Sequence, residues 1–211
     1  MATGLLQNLV SFYKIKQPSG NFVEIGSGSN LYPIFAALPY ANKIDVLELG
    51  KQNLTYLANQ FISFDPIWQL WIDFLKEIDP IYSIDFHHQF KDKVVIKRGS
   101  LFDLSENIYQ LASMHFVAES ISQDLDEFYL ANKKFVLSLT SNRIFCASFM
   151  EGSEGYSSPG SFFPAVKITS NEIEQSLKPF SDELAIQRIH MNKGVVRKGH
   201  TGMLLALGNR K

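Results

Sequence analysis

The 211 residues contain one cysteine, Cys146, so no intrachain disulfide can form. It stands in the apolar run 143–149, with no base or cation adjoining it to activate the thiol, and reads as a small core hydrophobe. An excess of charge is missing too: 20 Lys and Arg face 21 Asp and Glu, for a formal net charge of -1. No basic run is present, which removes the electrostatic case for binding nucleic acid or an anionic membrane surface. No apolar run approaches the ~20 residues needed to cross a bilayer. The start, Met1-Ala2-Thr3-Gly4-Leu5-Leu6, lacks the charged region, apolar stretch and cleavage site of a secretory signal. Together these absences point to a reducing cytoplasm. Repeats, low-complexity segments and linkers are lacking as well, so a single domain over 1–211 is expected.

Metal-ligand spacing is also missing. The adjacent His87 and His88 are badly placed to share one metal and read as surface loop. His115 falls inside a strand pattern and reads as a hydrogen-bonded core residue. His190 and His200 flank the chain's last two strands, within reach of a pocket rim.

What the chain does have is alternation. Apolar runs that read as buried strands are Phe22–Ile25, Ile44–Leu49, Val94–Lys97, Met114–Ala118, Ile144–Met150, Leu184–His190 and Met203–Leu207. Helical patterns cover Leu31–Leu38, Leu54–Ile62, Ile67–Leu75, Leu125–Leu137 and Ser170–Leu177. Thr169 and Glu172 have the spacing of a capping box at the start of the last helix. Asp65-Pro66-Ile67-Trp68, with Trp71, reads as a proline-started helix laying its aromatics on the sheet. Short apolar strands alternating with helices predict a parallel sheet covered on both faces. No helix separates the last two strands. Asn192-Lys193-Gly194 and the stretch 198–202 are turn chemistry, and Arg197-Lys198 reads as solvated hairpin. The expected fold is therefore α/β: a Rossmann-like, mostly parallel seven-stranded sheet with helices on both faces and an antiparallel C-terminal strand pair.

The strongest local signal is Phe22-Val23-Glu24-Ile25-Gly26-Ser27-Gly28-Ser29-Asn30, an apolar strand running into Gly-x-Gly and then a helix. Ligands of open α/β sheets bind outside the carboxyl ends of the strands, and glycines there let backbone approach the ligand. The dinucleotide fingerprint needs a third glycine, where this chain has Leu31. Adenosylmethionine carries no pyrophosphate and does not require it. Twenty residues after Gly28, Glu48 ends the next strand, where an acid can accept from both ribose hydroxyls.

From Phe22 onward the chain resembles the class I S-adenosylmethionine-dependent methyltransferases, and more narrowly the group containing nicotinamide and phenylethanolamine N-methyltransferases with its bacterial relatives. The resemblance is carried by residues 24–32, 48–54 and 149–156. It implies S-adenosyl-L-methionine as cofactor. Gly26 and Gly28, with Glu24 and Ser27 in the same turn, would line its methionine part, and Tyr32 would sit by its carboxylate. Glu48 and Leu49 would hold the ribose with Asn53 in support, and Ser100 and Leu101 would meet the adenine. Glu151 would orient the acceptor or take its proton, with Glu119 second in that role. Glu154 and Tyr156 share the Glu151 loop and would contact the acceptor. The group carries a longer stretch ahead of the glycine strand that closes over the cofactor. Here the corresponding region, 1–21, is expected to be a shortened lid with Tyr13 as its one aromatic candidate.

Methyl transfer needs the acceptor lone pair held on the S–CH₃ axis, and positioning alone can supply ~7–11 kcal/mol. A neutral amine needs little more, whereas a hydroxyl or ammonium must first lose a proton. The expected partner is a small molecule, with no nucleic acid or membrane, and the oligomeric state is not readable. Three other readings stay open: a cofactor-binding module without catalysis, another enzyme on the same cofactor, and, more distantly, a nicotinamide dehydrogenase.

Overall fold

In a computed structural model of the chain, residues 2–158, 161–189 and 199–211 are described. The Asn192–Gly194 turn, the Arg197-Lys198 pair and His190 lie outside them. A seven-stranded sheet is built from β1 (Gly20–Ile25), β2 (Ala41–Glu48), β3 (Val94–Arg98), β4 (Tyr109–His115), β5 (Leu139–Glu151), β8 (Ser181–Ile189) and β9 (Gly202–Arg210). Its order is β3-β2-β1-β4-β5-β9-β8. The first five strands run parallel, and β9 lies antiparallel to both β5 and β8. A separate hairpin pairs β6 (Gly155–Ser158) with β7 (Ser161–Pro164). This is the expected fold class. The hairpin was not foreseen.

Alternation along the strands sorts the core into two layers. Phe22, Ile44, Val46, Leu111, Cys146 and Leu205 face one side, under α1 (Ala2–Lys16), α2 (Tyr32–Ala37), α3 (Lys51–Asn59), α4 (Ile67–Ile78) and α5 (Phe86–Lys93). Val23, Ile25, Ala112, Met114, Phe145 and Phe149 face the other, under α6 (Leu125–Leu137) and α7 (Ser170–Leu177). The Thr169–Glu172 capping box forms at the start of α7 as expected.

Three local expectations are corrected. The fourth strand begins at Tyr109 and stops at His115, because Phe116 has φ +62° and turns the chain away before the apolar run ends. His87 and His88 lie within α5, whose first turn is capped by Asp85 accepting the His88 N–H at 3.0 Å. The aromatics of α4 pack on α2 rather than on the sheet. Trp68 meets Phe35 edge-on at 5.9 Å between ring centroids, and Trp71 meets Tyr32 at 5.7 Å.

Phe35 lies at the centre of that layer, fully buried, with Phe64 at 5.1 Å and Phe86 at 5.4 Å. Phe35→Ala is expected to cost about 3–5 kcal/mol, the range for emptying a buried aromatic site. Urea denaturation monitored by tryptophan fluorescence checks this, and a loss below about 1 kcal/mol would contradict the packing.

Candidate functional site

The sheet reverses its strand order between β1 and β4, and the cleft opens there, at the carboxyl ends of the strands. The turn after β1 is set by its own hydrogen bonds: the Ser27 hydroxyl donates to the Asn30 carbonyl at 2.5 Å, and the Asn30 N–H to the Ser27 carbonyl at 3.0 Å. Gly26 has φ +63°, and a Cβ on it would lie 2.5 Å from a Val117 methyl. Gly28 has φ +60° and faces open space as far as the Asn53 amide, 4.0 Å from where a Cβ would stand. Leu31, where a dinucleotide loop has its third glycine, is fully buried in the layer under α2.

Glu48 ends β2 directly opposite. Its Oε2 accepts the Gly28 N–H at 2.8 Å, and its Oε1 accepts the N–H groups of Leu49 at 3.0 Å and Gly50 at 2.7 Å. Three backbone donors thus fix one carboxylate between the two strand ends. With about four acceptor sites on a carboxylate, one on Oε2 remains for a ligand hydroxyl.

The cleft beside this pair encloses about 290 Å³ and is lined by Gly26, Gly28, Glu48, Leu49, Asn53, Ser100, Leu101 and Tyr156 among the expected residues. Ser100 accepts the Phe102 N–H at 3.2 Å and so holds its turn, leaving its hydroxyl proton to donate. Residues missed from sequence also line it: Phe102, Phe116, Val117, Ser120 and Ile121. Phe116–Ile121 fell in or next to a run taken as strand. The sequence signal lay in Glu119-Ser120, the polar pair that closes the apolar stretch ending at Ala118. Tyr156 arrives on β6, its ring stacked on Phe163 at 4.9 Å and 15°.

The other expected residues lie elsewhere. Glu24 points under α1 and α2, where the Ser113 hydroxyl donates to it, and burial pushes its carboxyl well above the usual carboxylate range. Tyr32 packs between Trp71 and His115, and burial raises its phenol. Ser27 serves the turn. Tyr13 is no lid residue: α1 lies flat on the sheet, and the Tyr13 hydroxyl meets the Cys146 sulfur at 3.1 Å in the core. The Glu119 side chain is fully buried, its Oε1 accepting the Met150 N–H at 3.0 Å. Glu151 turns toward β8, bound by Arg188 at 2.5 Å and by the Thr201 hydroxyl at 2.6 Å. Glu154 pairs with Lys167 at 2.9 Å beside a neighbouring cavity. Each of these carboxylates serves the scaffold rather than the cleft.

His115 ends β4 with Nδ1 2.8 Å from the Ser148 hydroxyl. Its Nε2 is buried with no partner among the described residues, and burial pushes the imidazole down to about 3. The ring is therefore neutral at ordinary pH. Among the described residues no group of three His, Cys, Asp or Glu could hold a metal ion, and no helix is long and apolar enough to cross a membrane.

Glu24 yields a stability test. Its folded carboxyl keeps a proton to higher pH than the unfolded one, so its contribution is complete below the ordinary carboxylate range and is lost as pH rises above it. Glu24→Gln, which keeps the shape without the charge, is expected to flatten the decline in Tm toward alkaline pH. Thermal melts of both proteins from acid to mildly alkaline pH decide it; parallel curves would exclude a protonated Glu24.

No protein-family model matches the sequence, and no curated protein does. Solved structures do. NodS, an N-methyltransferase from Bradyrhizobium japonicum WM9 in complex with S-adenosyl-L-homocysteine, superimposes with a TM-score of 0.64 at 10% identity, over 98% of this chain and 85% of its own. A protein from Listeria monocytogenes assigned as an S-adenosylmethionine-dependent methyltransferase gives 0.64 at 14% identity, over 100% of both chains. A methyltransferase from Methanosarcina mazei gives 0.63 at 13% identity, over 90% of this chain and 92% of its own. With identity this low the likeness is one of fold, and in that sense the chain has the architecture of the S-adenosylmethionine-dependent methyltransferases.

Proposed function

We propose that the chain is an S-adenosylmethionine-dependent methyltransferase acting on a small molecule, with a neutral amine nitrogen as the acceptor. The observation that carries this reading is the meeting of the Gly28 N–H and the Glu48 carboxylate at the switch point, beside a cleft open to both. The residues fit an adenosyl group. Leu49, Leu101 and Phe102 offer apolar surface for a purine, the Ser100 hydroxyl can donate to a ring nitrogen, and Glu48 has an acceptor left for a ribose hydroxyl. The volume is at the small end for cofactor clefts, as suits a ligand held partly at the surface. When bound, adenosylmethionine supplies a methyl group on a good leaving group, the sulfonium.

The chain's own contribution is then orientation. Phe116 and Val117 close the β4 side of the cleft, and Tyr156 stands at its mouth, 36% exposed, where an acceptor can pack on it. Glu119 and Glu151 are held by scaffold hydrogen bonds and ion pairs. Glu48 is the one carboxylate among the described lining residues, and three N–H groups hold it. An acceptor that arrives with its lone pair free requires no protein base, which favours an amine over a hydroxyl. The same shortage of bases supports, as a second reading, a module that binds the cofactor without transferring its methyl.

Calorimetry with adenosylmethionine, adenosylhomocysteine and NAD tests the cofactor. Glu48→Gln is expected to weaken both adenosyl ligands by about tenfold or more, the equivalent of one charge-assisted hydrogen bond. No binding of either ligand to the parent protein, or tighter binding of NAD, would end this reading.

Incubation with methyl-labelled cofactor and an amine panel tests transfer. For two amines of different basicity, the pH profile of kcat/KM is expected to move with the acceptor's own pKa. A profile fixed at one pH for every acceptor would instead point to a protein base. Tyr156→Ala should raise the acceptor KM and leave the cofactor Kd unchanged. Cofactor binding with no label transferred to any acceptor would select the second reading.

A further inference from the structure

The largest cavity among those described, about 840 Å³, is far from the cleft, along the outer strand β8. Its floor is Asp182, Leu184, Ile186 and Arg188, alternate residues of one face, with Leu204 of β9 behind them and α7 as one wall. β8 closes the sheet order, and among the described residues no strand lies beyond it. Nine residues long and without proline, it presents a row of backbone donors and acceptors that no strand among the described residues pairs, the feature that invites another strand.

The sequence of this edge is complementary to itself. Two copies of β8 laid antiparallel about a two-fold axis through Ala185 place Leu184 against Ile186 and Asp182 against Arg188, each pair occurring twice. All four residues lie on the groove face. On the other face Glu183 comes opposite Gln187, and Ala185 meets its own copy. Shifting the register by one step of two residues sets Leu184 against Arg188 and removes the charge pairing, so charge selects a single register. The irregularity in the pairing of β8 with β9 falls between Ser181 and Leu184, which leaves Leu184–Ile189 as the regular run and puts Asp182 at the rim. Arg188 already holds Glu151, yet its side chain is 49% exposed and its guanidinium has five donors to share.

A second observation comes from the opposite face. Helix α1 runs along β8: Asn8 accepts from the Gln187 amide at 2.7 Å, and Lys16 pairs with Glu183 at 2.6 Å. Ile15, two turns after Asn8 on the same side of the helix, is 78% exposed. The two-fold arrangement brings the Glu183 end of one β8 beside the Gln187 end of the other. Ile15 of each copy thereby comes next to the Asn8 turn of its mate and leaves water.

We infer that the chain forms a two-fold dimer by antiparallel pairing of β8 with its own copy, continuing the sheet from seven strands to fourteen. The fourteen is two copies of the seven-stranded sheet.

Disulfide trapping in the full chain tests the register. The native Cys146 is buried and stays out of the reaction. Ala185→Cys sets two thiols directly opposite, within the Cα range a disulfide spans, and is expected to give a covalent dimer on mild oxidation. Gln187→Cys, on the same face, separates its two thiols by about 13 Å along the strands and should not. Sedimentation of the unmodified protein over a concentration series should show a reversible dimer. The exposed-site variant Asp182→Arg, which sets like charges face to face twice, should weaken it by about tenfold or more. Ile15→Lys should weaken it as well, with the circular dichroism spectrum of both variants unchanged. A chain that stays monomeric up to its solubility limit overturns the dimer and leaves the groove to an extended peptide. Trapping at residue 187 in preference to 185 overturns the register.

Discussion

One carboxylate fixes the relation of the first two strands at the end that matters. Glu48 takes the Gly28 N–H from the β1 turn and two N–H groups from its own loop, so the turn, the end of β2 and the start of α3 share one anchor. Backbone N–H groups left in a partly buried turn cost free energy unless something accepts from them. The acid supplies those acceptors and is kept on the cleft side by doing so. Gly26 is needed for the same closure, since its positive φ and the Val117 methyl both exclude a side chain. The cleft is thus shaped in advance by bonds that do not depend on a ligand.

The elements legible in the sequence were those whose periodicity is uninterrupted. Helix α6 matches its apolar pattern from Leu125 to Leu137, and the Thr169–Glu172 box located α7 because capping is local chemistry. Helix α1 was not recognised, because residues 1–21 read by resemblance as a lid, although their buried apolar residues keep to one helical face with Gln7, Ser11 and Lys14 exposed opposite. Buried positions 5, 6, 9, 10, 12 and 13 are covered by the sheet and by α2. The end of β4 was misplaced for a different reason. Met114 through Ala118 is apolar apart from His115, and only the left-handed backbone of Phe116, which no composition announces, ends the strand. The β6–β7 hairpin contains glycine, serine and proline and reads as loop until its pairing is seen.

For the site, glycines and the strand-terminal acid were readable because backbone dihedrals and strand position dictate them. The remaining carboxylates were not. Glu24, Glu119 and Glu151 each stand within a few residues of a strand end, the position that suggests chemistry. Their roles are decided by partners 89, 31 and 37 positions away: Ser113, the Met150 N–H and Arg188. Such distant pairings are set by sheet order, which a local reading does not contain.

These commitments also bear on how the fold tolerates so many buried acids. Glu24 is kept neutral by burial, Glu119 accepts a strand N–H, and Glu151 is neutralised by Arg188 across the antiparallel pair. Each follows a different route around the cost of an isolated buried charge. Glu48 differs in facing a cleft with a remaining acceptor. The contrast separates acids directed only at the scaffold from Glu48, which anchors two strand ends and also lines the cleft. An acid with every strong acceptor direction taken by the scaffold cannot also bind a proton from an acceptor without unfolding part of what it holds. Around Glu48 the cleft adds Phe116, Val117 and Tyr156, side chains that give it shape rather than charge.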